Sequence, residues 1–187
     1  GASVSDFIPA AVLEIINSEI KNGRGPISTE KMELMLLSLL RMKNRDVFDN
    51  VPDATEGLNN RLYMHAKTAE SWDALTNKTK SKRYAMSRIR RMAMCASLGI
   101  KSEDKEGIPP YTRVLAFNEK GREILRRIDS SSDFPVITKP ATVRRLNDRI
   151  QKIFSLSAVG SDLYSLTFKN IKDRRGGEDY KKGPIII

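Results

Sequence analysis

The chain has 187 residues, and its 33 Lys and Arg against 23 Asp and Glu give a net charge of +10 at pH 7. Hydrophobic residues make up 40% and charged residues 30%, the balance of a folded chain long enough to bury a core, not of a disordered one. One Cys (Cys95) and one His (His65) exclude an intramolecular disulfide and a zinc site built from Cys and His, while the basic excess points to a polyanion, either nucleic acid or an anionic membrane surface.

No apolar run approaches the ~20 residues that span a bilayer. The start, Gly1-Ala2-Ser3, has no basic region followed by an apolar stretch, so no signal peptide is expected. It also lacks an initiator Met, and a piece cut from a longer protein, with a tag remnant at its head, is the expectation.

The first third reads as helices. Pro9 suits a first turn, and Val12, Ile15, Ile16 and Ile20 follow at helical spacing. Asn22-Gly23-Arg24-Gly25-Pro26 is a break. Ser28 or Thr29 can cap a second helix with Met32, Met35, Leu36, Leu39 and Leu40 inward. Asp53 and Glu56 have capping-box spacing, opening a helix through Leu58, Leu62, Tyr63 and Ala66. Ser71 can cap a short helix bearing Trp72 and Leu75.

From Lys78 to Arg91 the sequence holds Lys78, Lys80, Lys82, Arg83, Arg88, Arg90 and Arg91, and no acid. It leads into a helix through Met92, Ala93, Ala96 and Leu98 that Gly99 should end in left-handed conformation. At 100° per residue, Ala85, Ile89, Met92, Ala93, Ala96 and Ile100 share one arc. Arg83, Ser87, Arg90, Arg91 and Met94 take the other, with Arg88 at the boundary.

The second half changes character. Ile108-Pro109-Pro110 ends a loop. Thr112–Phe117 reads as a strand, Asn118 as a turn, Lys120–Ile128 as a helix with Ile124, Leu125 and Ile128 inward, and Pro135–Thr138 as a second strand. Strand, crossover helix and strand predict a parallel βαβ unit. Thr142–Phe154 and Asp162–Phe168 read as two further helices, Lys169–Lys182 as an irregular tail, and Gly183–Ile187 as an edge strand. The expected fold is mainly α with a small βαβ unit (α+β), a helical bundle packed on a two-stranded parallel sheet. Residues 1–107 form its helical part, and 108–187 the βαβ unit, C-terminal helices and tail, within one compact domain.

The basic segment is the strongest functional signal. Arg forks bind phosphate bidentately, and Lys78, Lys80 and Lys82 precede a helix whose positive end also attracts phosphate. A merely solvated face normally mixes signs, which this one does not. The opposing arc is Ala-rich, which suits helix packing better than membrane insertion. Tyr111 with Arg113 has the chemistry to stack a base and hold a phosphate, although an ordinary strand uses the same residues. Asn59, Asn60 and Arg61 fit a surface, a helix-packing network or nucleotide contacts. His65 reads as structural and Cys95 as a small core residue. Gly176-Gly177-Glu178-Asp179 is too short to be diagnostic. No Gly-rich phosphate loop, nucleophile or carboxylate pair stands out, so no catalytic or metal-binding residue is assigned.

Four stretches carry a resemblance: EGLNNRL (Glu56–Leu62), TKSKRYAMSRIRRM (Thr79–Met92), PPYTRVLAFNEKG (Pro109–Gly121) and SDLYSL (Ser161–Leu166). In this order and spacing they resemble the C-terminal half of the bacterial tRNA(Met) cytidine acetate ligases, over nearly the whole chain. The resemblance implies a nucleotidyltransferase-like enzyme that activates acetate with ATP and acetylates N4 of the wobble cytidine of elongator tRNA(Met). It implies that ATP binds an N-terminal domain carrying a His-x-Gly-His motif, which this sequence lacks, so no cofactor is expected here. The partners implied are tRNA and that N-terminal domain, in the cytoplasm and off the membrane.

The resemblance matches Lys80, Lys82, Arg83, Tyr84, Arg88, Ile89 and Arg91, and then Tyr111, Arg113 and Asn118. Lys78, Lys80, Lys82, Arg83, Tyr84, Arg88, Arg90, Arg91, Tyr111, Arg113 and Asn118 are therefore the expected RNA-binding residues. Two positions depart from the family pattern. Ala85 stands where Thr is common, removing one polar contact, and Ala116 stands where Gly is common, tightening backbone approach. The alternative is a basic protein-interaction or structural module without nucleic-acid specificity. Steep salt dependence separates the two. A stand-alone enzyme has no supporting constellation.

Overall fold

The structure is a computed structural model that describes residues 7–54, 57–131 and 134–187. Helix α1 (Ala10–Lys21) follows Pro9 at its N-cap. Its apolar residues do recur at helical spacing, but α1 buries none of them, and Val12, Ile15, Ile16 and Ile20 all stay exposed. The turn after it is fixed instead by polar groups. Arg24 pairs with Glu19 and Asp173, and the Gly23 carbonyl accepts the Lys169 N–H at 2.8 Å.

Helices α2 (Thr29–Met42), α3 (Arg45–Asp49), α4 (Leu58–Thr68), α5 (Trp72–Thr79) and α6 (Met86–Leu98) form the first hydrophobic cluster. The Ser28 and Ser71 hydroxyls accept the N–H groups of Lys31 and Ala74, as N-caps do. Leu36, Leu37 and Leu40 of α2 meet Leu58, Leu62 and Ala66 of α4 and Ile89, Met92, Ala93 and Ala96 of α6. Leu37 thus takes a core place expected of Met35 and Leu39, which are only half-buried. The ends of α2 and α4 clasp each other. Arg41 donates to the Ala69 carbonyl, and Lys67 donates to the carbonyls of Arg41 and Lys43, so each helix supplies a cation to the other's C-terminal end.

The expected capping box does not open α4. Gly57, left-handed at φ 77°, occupies the N-cap, and Asp53 lies four residues upstream with its carboxylate used elsewhere. Glu56 lies outside the described residues. At the far end of α6, Gly99 does adopt φ 73°, and the Ile100 N–H closes back on the Cys95 carbonyl at 2.9 Å.

The strand signal in Thr112–Phe117 divides in two. Strand β1 (Thr112–Arg113) pairs in parallel with β3 (Val136–Ile137), and β2 (Ala116–Phe117) pairs in parallel with β4 (Ile185–Ile186). The crossover between β1 and β3 carries helix α7 (Glu119–Ser131), so the mainly α fold with a small parallel βαβ unit stands, with a second two-stranded ladder beside it. Ile124 does not point inward, at 57% exposed, while Leu125 and Ile128 of α7 are half-buried and Gly121 lies against Phe117 of β2.

After a 3₁₀ turn at Pro140–Arg145, helix α8 runs unbroken over Asp148–Ser165, where two helices were expected. Gly160 and the serines beside it mimic a break, but Ile150, Phe154 and Ala158 keep one stripe on the second cluster. Ile137, Val143, Tyr111 and Tyr180 complete that cluster, and α8 also touches α2 and α6, which joins it to the first. The tail is irregular, with 3₁₀ turns at Ile171–Asp173 and Glu178–Tyr180, and Tyr180 packs on Phe154 with ring centres 4.9 Å apart.

Candidate nucleic-acid interface

The basic segment is a helix end, a loop and a helix start. Thr79 ends α5, residues 80–85 form the loop, and Met86 opens α6. Helix termini leave carbonyls without intrahelical partners, and Arg61 of α4 satisfies those of α5. Its guanidinium donates to the carbonyls of Lys78, Thr79 and Lys80 at 3.1, 3.3 and 3.4 Å. Asn59 donates to Asp49, and Asn60 accepts from Arg45. The Asn59-Asn60-Arg61 run is therefore a helix-packing network that fixes where the basic loop departs.

The cations fall into two groups. Lys78 pairs with Glu70 at 2.7 Å. Arg88 donates to the backbone carbonyl of Asp53 at 2.8 Å and lies over the Tyr84 ring, 5.5 Å from its centre. Arg91 places both Nε and a terminal nitrogen on one Asp53 carboxylate oxygen, at 2.9 and 2.7 Å. Asp53 does this from φ 66°, a left-handed conformation that only a few non-glycine residues adopt. The Arg91 hydrogen bond holds the Asp53 carboxyl below the ordinary carboxylate range, against the opposing effect of burial. Lys80, Lys82, Arg83 and Arg90 are exposed, and no carboxylate among the described residues pairs with them.

Several expected contacts sit elsewhere. Tyr84 is buried in the first cluster, so its ring is a core element and not an open stacking platform. Tyr111 is half-buried against Phe154 at 6.1 Å, and burial pushes its phenol up. Arg113 donates to the Asp179 carboxylate at 3.1 Å and lies over Phe154 at 5.1 Å, so its charge is committed to the fold. Asn118 accepts the Gly121 N–H at 2.9 Å and caps α7. The structure thus brings Arg88 and Arg91 together on Asp53, with the Tyr84 ring against Arg88, and sets Tyr111 and Arg113 beside Phe154 in the second cluster. Asp53 had a misleading signal, since its spacing to Glu56 imitates a cap. Arg61 had the right signal in its position within an Asn-Asn-Arg run.

His65 is half-buried, and burial with Arg61 and Lys78 nearby pushes its imidazole down. Cys95 is buried, which pushes its thiol up. Among the described residues no group of three or more His, Cys, Asp or Glu is arranged to hold a metal, and no helix is long and apolar enough to cross a membrane.

Ala85 is the N-cap of α6, extended at ψ 142° and without a side-chain cap. A Thr hydroxyl there can accept an N–H of the first turn, so Ala85→Thr is expected to stabilise the protein by about 1 kcal/mol in urea unfolding. Asp53→Asn tests the arginine anchor. A depressed folded pKa adds stability above the unfolded value of about 3.9, and that stability is lost as pH falls through the folded value. The variant should therefore be less stable than the parent at pH 7, and the gap should narrow in thermal melts only as the pH falls below the ordinary carboxylate range.

Comparison with known proteins gives this geometry a context. A family model described as HIGH nucleotidyl transferase matches residues 1–179. A tRNA(Met) cytidine acetate ligase from Thermotoga maritima is 32% identical over 98% of this chain and 47% of its own length. The crystal structure of Thermotoga maritima TmcAL in an apo form superposes with a TM-score of 0.86 at 31% identity, over 96% of this chain and 46% of that one. The same protein bound with alpha-thio ATP gives a TM-score of 0.85 at 32% identity, over the same 96% and 46%. The chain spans about half the length of the curated relatives it matches. Matched through residue 179 by the family model and homologous over 98% of its length to a tRNA(Met) cytidine acetate ligase, the chain belongs to the HIGH nucleotidyl transferase family.

Proposed function

We propose that this chain is the tRNA-gripping, C-terminal half of an ATP-dependent tRNA(Met) cytidine acetate ligase. The observation that carries the reading is the set of exposed cations Lys80, Lys82, Arg83 and Arg90, without carboxylate partners among the described residues, on a segment pinned by Arg61 and Asp53. Such cations bind phosphates, and pinning their backbone lowers the entropy lost on binding. The α6 N-terminus follows the loop directly, without a side-chain cap, and its positive end adds to the attraction.

In this reading the chain positions the substrate and the chemistry lies elsewhere. ATP binding and acetate activation belong to the part of the relatives' length that this chain does not span. A wobble cytidine must leave its stack to reach that site, and the basic loop holds the flanking backbone while it does so. Arg88 and Arg91 act through Asp53 as scaffold. The cytoplasm, where tRNA is modified, is the proposed setting.

The test is binding of the whole chain to an elongator tRNA(Met) transcript, with another tRNA and duplex DNA as competitors, at two salt concentrations. Affinity should fall steeply with salt, at about 0.7 to 0.9 logarithmic units per phosphate neutralised. Replacing Lys80, Lys82, Arg83 and Arg90 by Ala together should reduce that slope by about 3 and leave the thermal midpoint near that of the parent. Unchanged binding by this variant removes the loop from the interface. Failure of the parent to bind any tRNA at low salt moves the basic loop to a protein contact.

A further inference from the structure

The two sheets part around a second feature that the basic loop does not include. An open cleft of about 470 Å³ lies there, with Phe117, Leu125, Val136 and Ile186 among the residues that line it. Its size falls in the range of small-molecule sites, roughly 300–1,000 Å³. Helix α7 borders the cleft with Arg122, Leu125 and Arg126, which share one face at i, i+3 and i+4. Lys139, just after β3, also lines it, beside Thr138.

The three cations are exposed, and no carboxylate among the described residues pairs with Arg122, Arg126 or Lys139. Glu123, next to Arg122 in α7, is engaged by Arg127. The cleft therefore offers an apolar surface with one half-buried aromatic ring, bordered by three cations that no carboxylate among the described residues pairs with. Its complement is a flat ring joined to an anion. Two guanidiniums one helical turn apart match the span of a single phosphate, which Arg forks grip bidentately. An acidic peptide would satisfy the cations but has no flat group to place on Phe117 at every residue, whereas every nucleotide carries both parts.

We propose that this cleft takes one unstacked nucleotide from a single-stranded segment of tRNA, its base on the apolar surface and its phosphate among Arg122, Arg126 and Lys139. The inference rests on the tRNA-binding reading above and adds to it a contact that distinguishes single-stranded from paired RNA.

The experiment compares the whole chain, the triple variant Arg122→Ala, Arg126→Ala, Lys139→Ala, and the four-residue loop variant. The probes are elongator tRNA(Met) transcript, a blunt RNA duplex and polyglutamate as competitor. The triple variant should melt as the parent does, lose at least tenfold in tRNA affinity, reduce the salt slope by about 2, and keep its duplex affinity. The loop variant should weaken on both RNAs. A triple variant that binds tRNA like the parent, while the loop variant does not, overturns the cleft and leaves the tRNA reading standing. Equal losses on tRNA and duplex also overturn it, since the cleft would then be a general phosphate patch. Polyglutamate that competes with tRNA on the parent as strongly as unlabelled tRNA overturns it in favour of an acidic protein partner. A parent that binds no tRNA takes down both readings.

Discussion

Seven like charges within fourteen residues, from Lys78 to Arg91, must be held side by side, and the first cluster is built around that demand. Neighbouring cations a few ångströms apart repel by about 1 kcal/mol even in water, and salt screens only beyond roughly 10 Å. The fold answers with three anchors from three different places. Glu70 takes Lys78, Asp53 takes Arg88 and Arg91, and Arg61 holds the backbone between them through three carbonyls. The Asp53 anchor uses a left-handed backbone, a cost the fold bears because that conformation turns both its carbonyl and its carboxylate towards α6. What is left is a short stretch of exposed cations on a fixed track.

The second cluster has a different organising contact. Phe154 meets Tyr111 on one side and Tyr180 on the other, and Arg113 lies over its ring while donating to Asp179. One aromatic side chain thus ties β1, α8 and the tail. Two-residue strands supply few ladder bonds, and sheets this small need packing to persist. The Phe154 hub supplies it for β1 and β3. The ladder of β2 and β4 receives less, and the residues around it remain open as the cleft beneath α7.

Local chemistry made part of this legible beforehand. Ser28, Ser71 and Gly99 each act through groups a few residues away, and their roles could be read directly. The parallel pairing of Thr112–Arg113 with Val136–Ile137 followed from the alternation of strand and helix. What could not be read locally depends on partners distant in sequence. Asp53 sits 38 residues from Arg91, and Arg113 sits 66 from Asp179, so neither pairing leaves a local trace. Tyr84 and Tyr111 carry the chemistry of base stacking, yet Tyr84 is buried in the first cluster and Tyr111 packs on Phe154, and such packing is a property of the fold. Helix α8 crosses a serine-rich stretch with Gly160 because its core stripe is continuous, which outweighs local propensity. The apolar residues of α1 show the reverse: helical spacing predicts the helix, but spacing alone does not say what covers it.

The two groups of unpaired cations gain meaning from how they are connected. Helix α8 contributes Phe154 to the second cluster and also touches α2 and α6, so the separation between loop and cleft is set by packed helices. Charge alone would attract any polyanion. Discrimination between folded RNAs requires charges at fixed separations, because RNA is read largely by shape and by bases that leave the stack. A pinned loop and an apolar cleft on one framework meet that requirement in different ways. The loop has charge without an exposed aromatic surface, since Tyr84 is buried, and so suits backbone phosphates. The cleft has both, and so suits a nucleotide whose base is free. Affinity would then reside mainly in the first and selectivity mainly in the second, a division that follows from where the fold buries its aromatic rings.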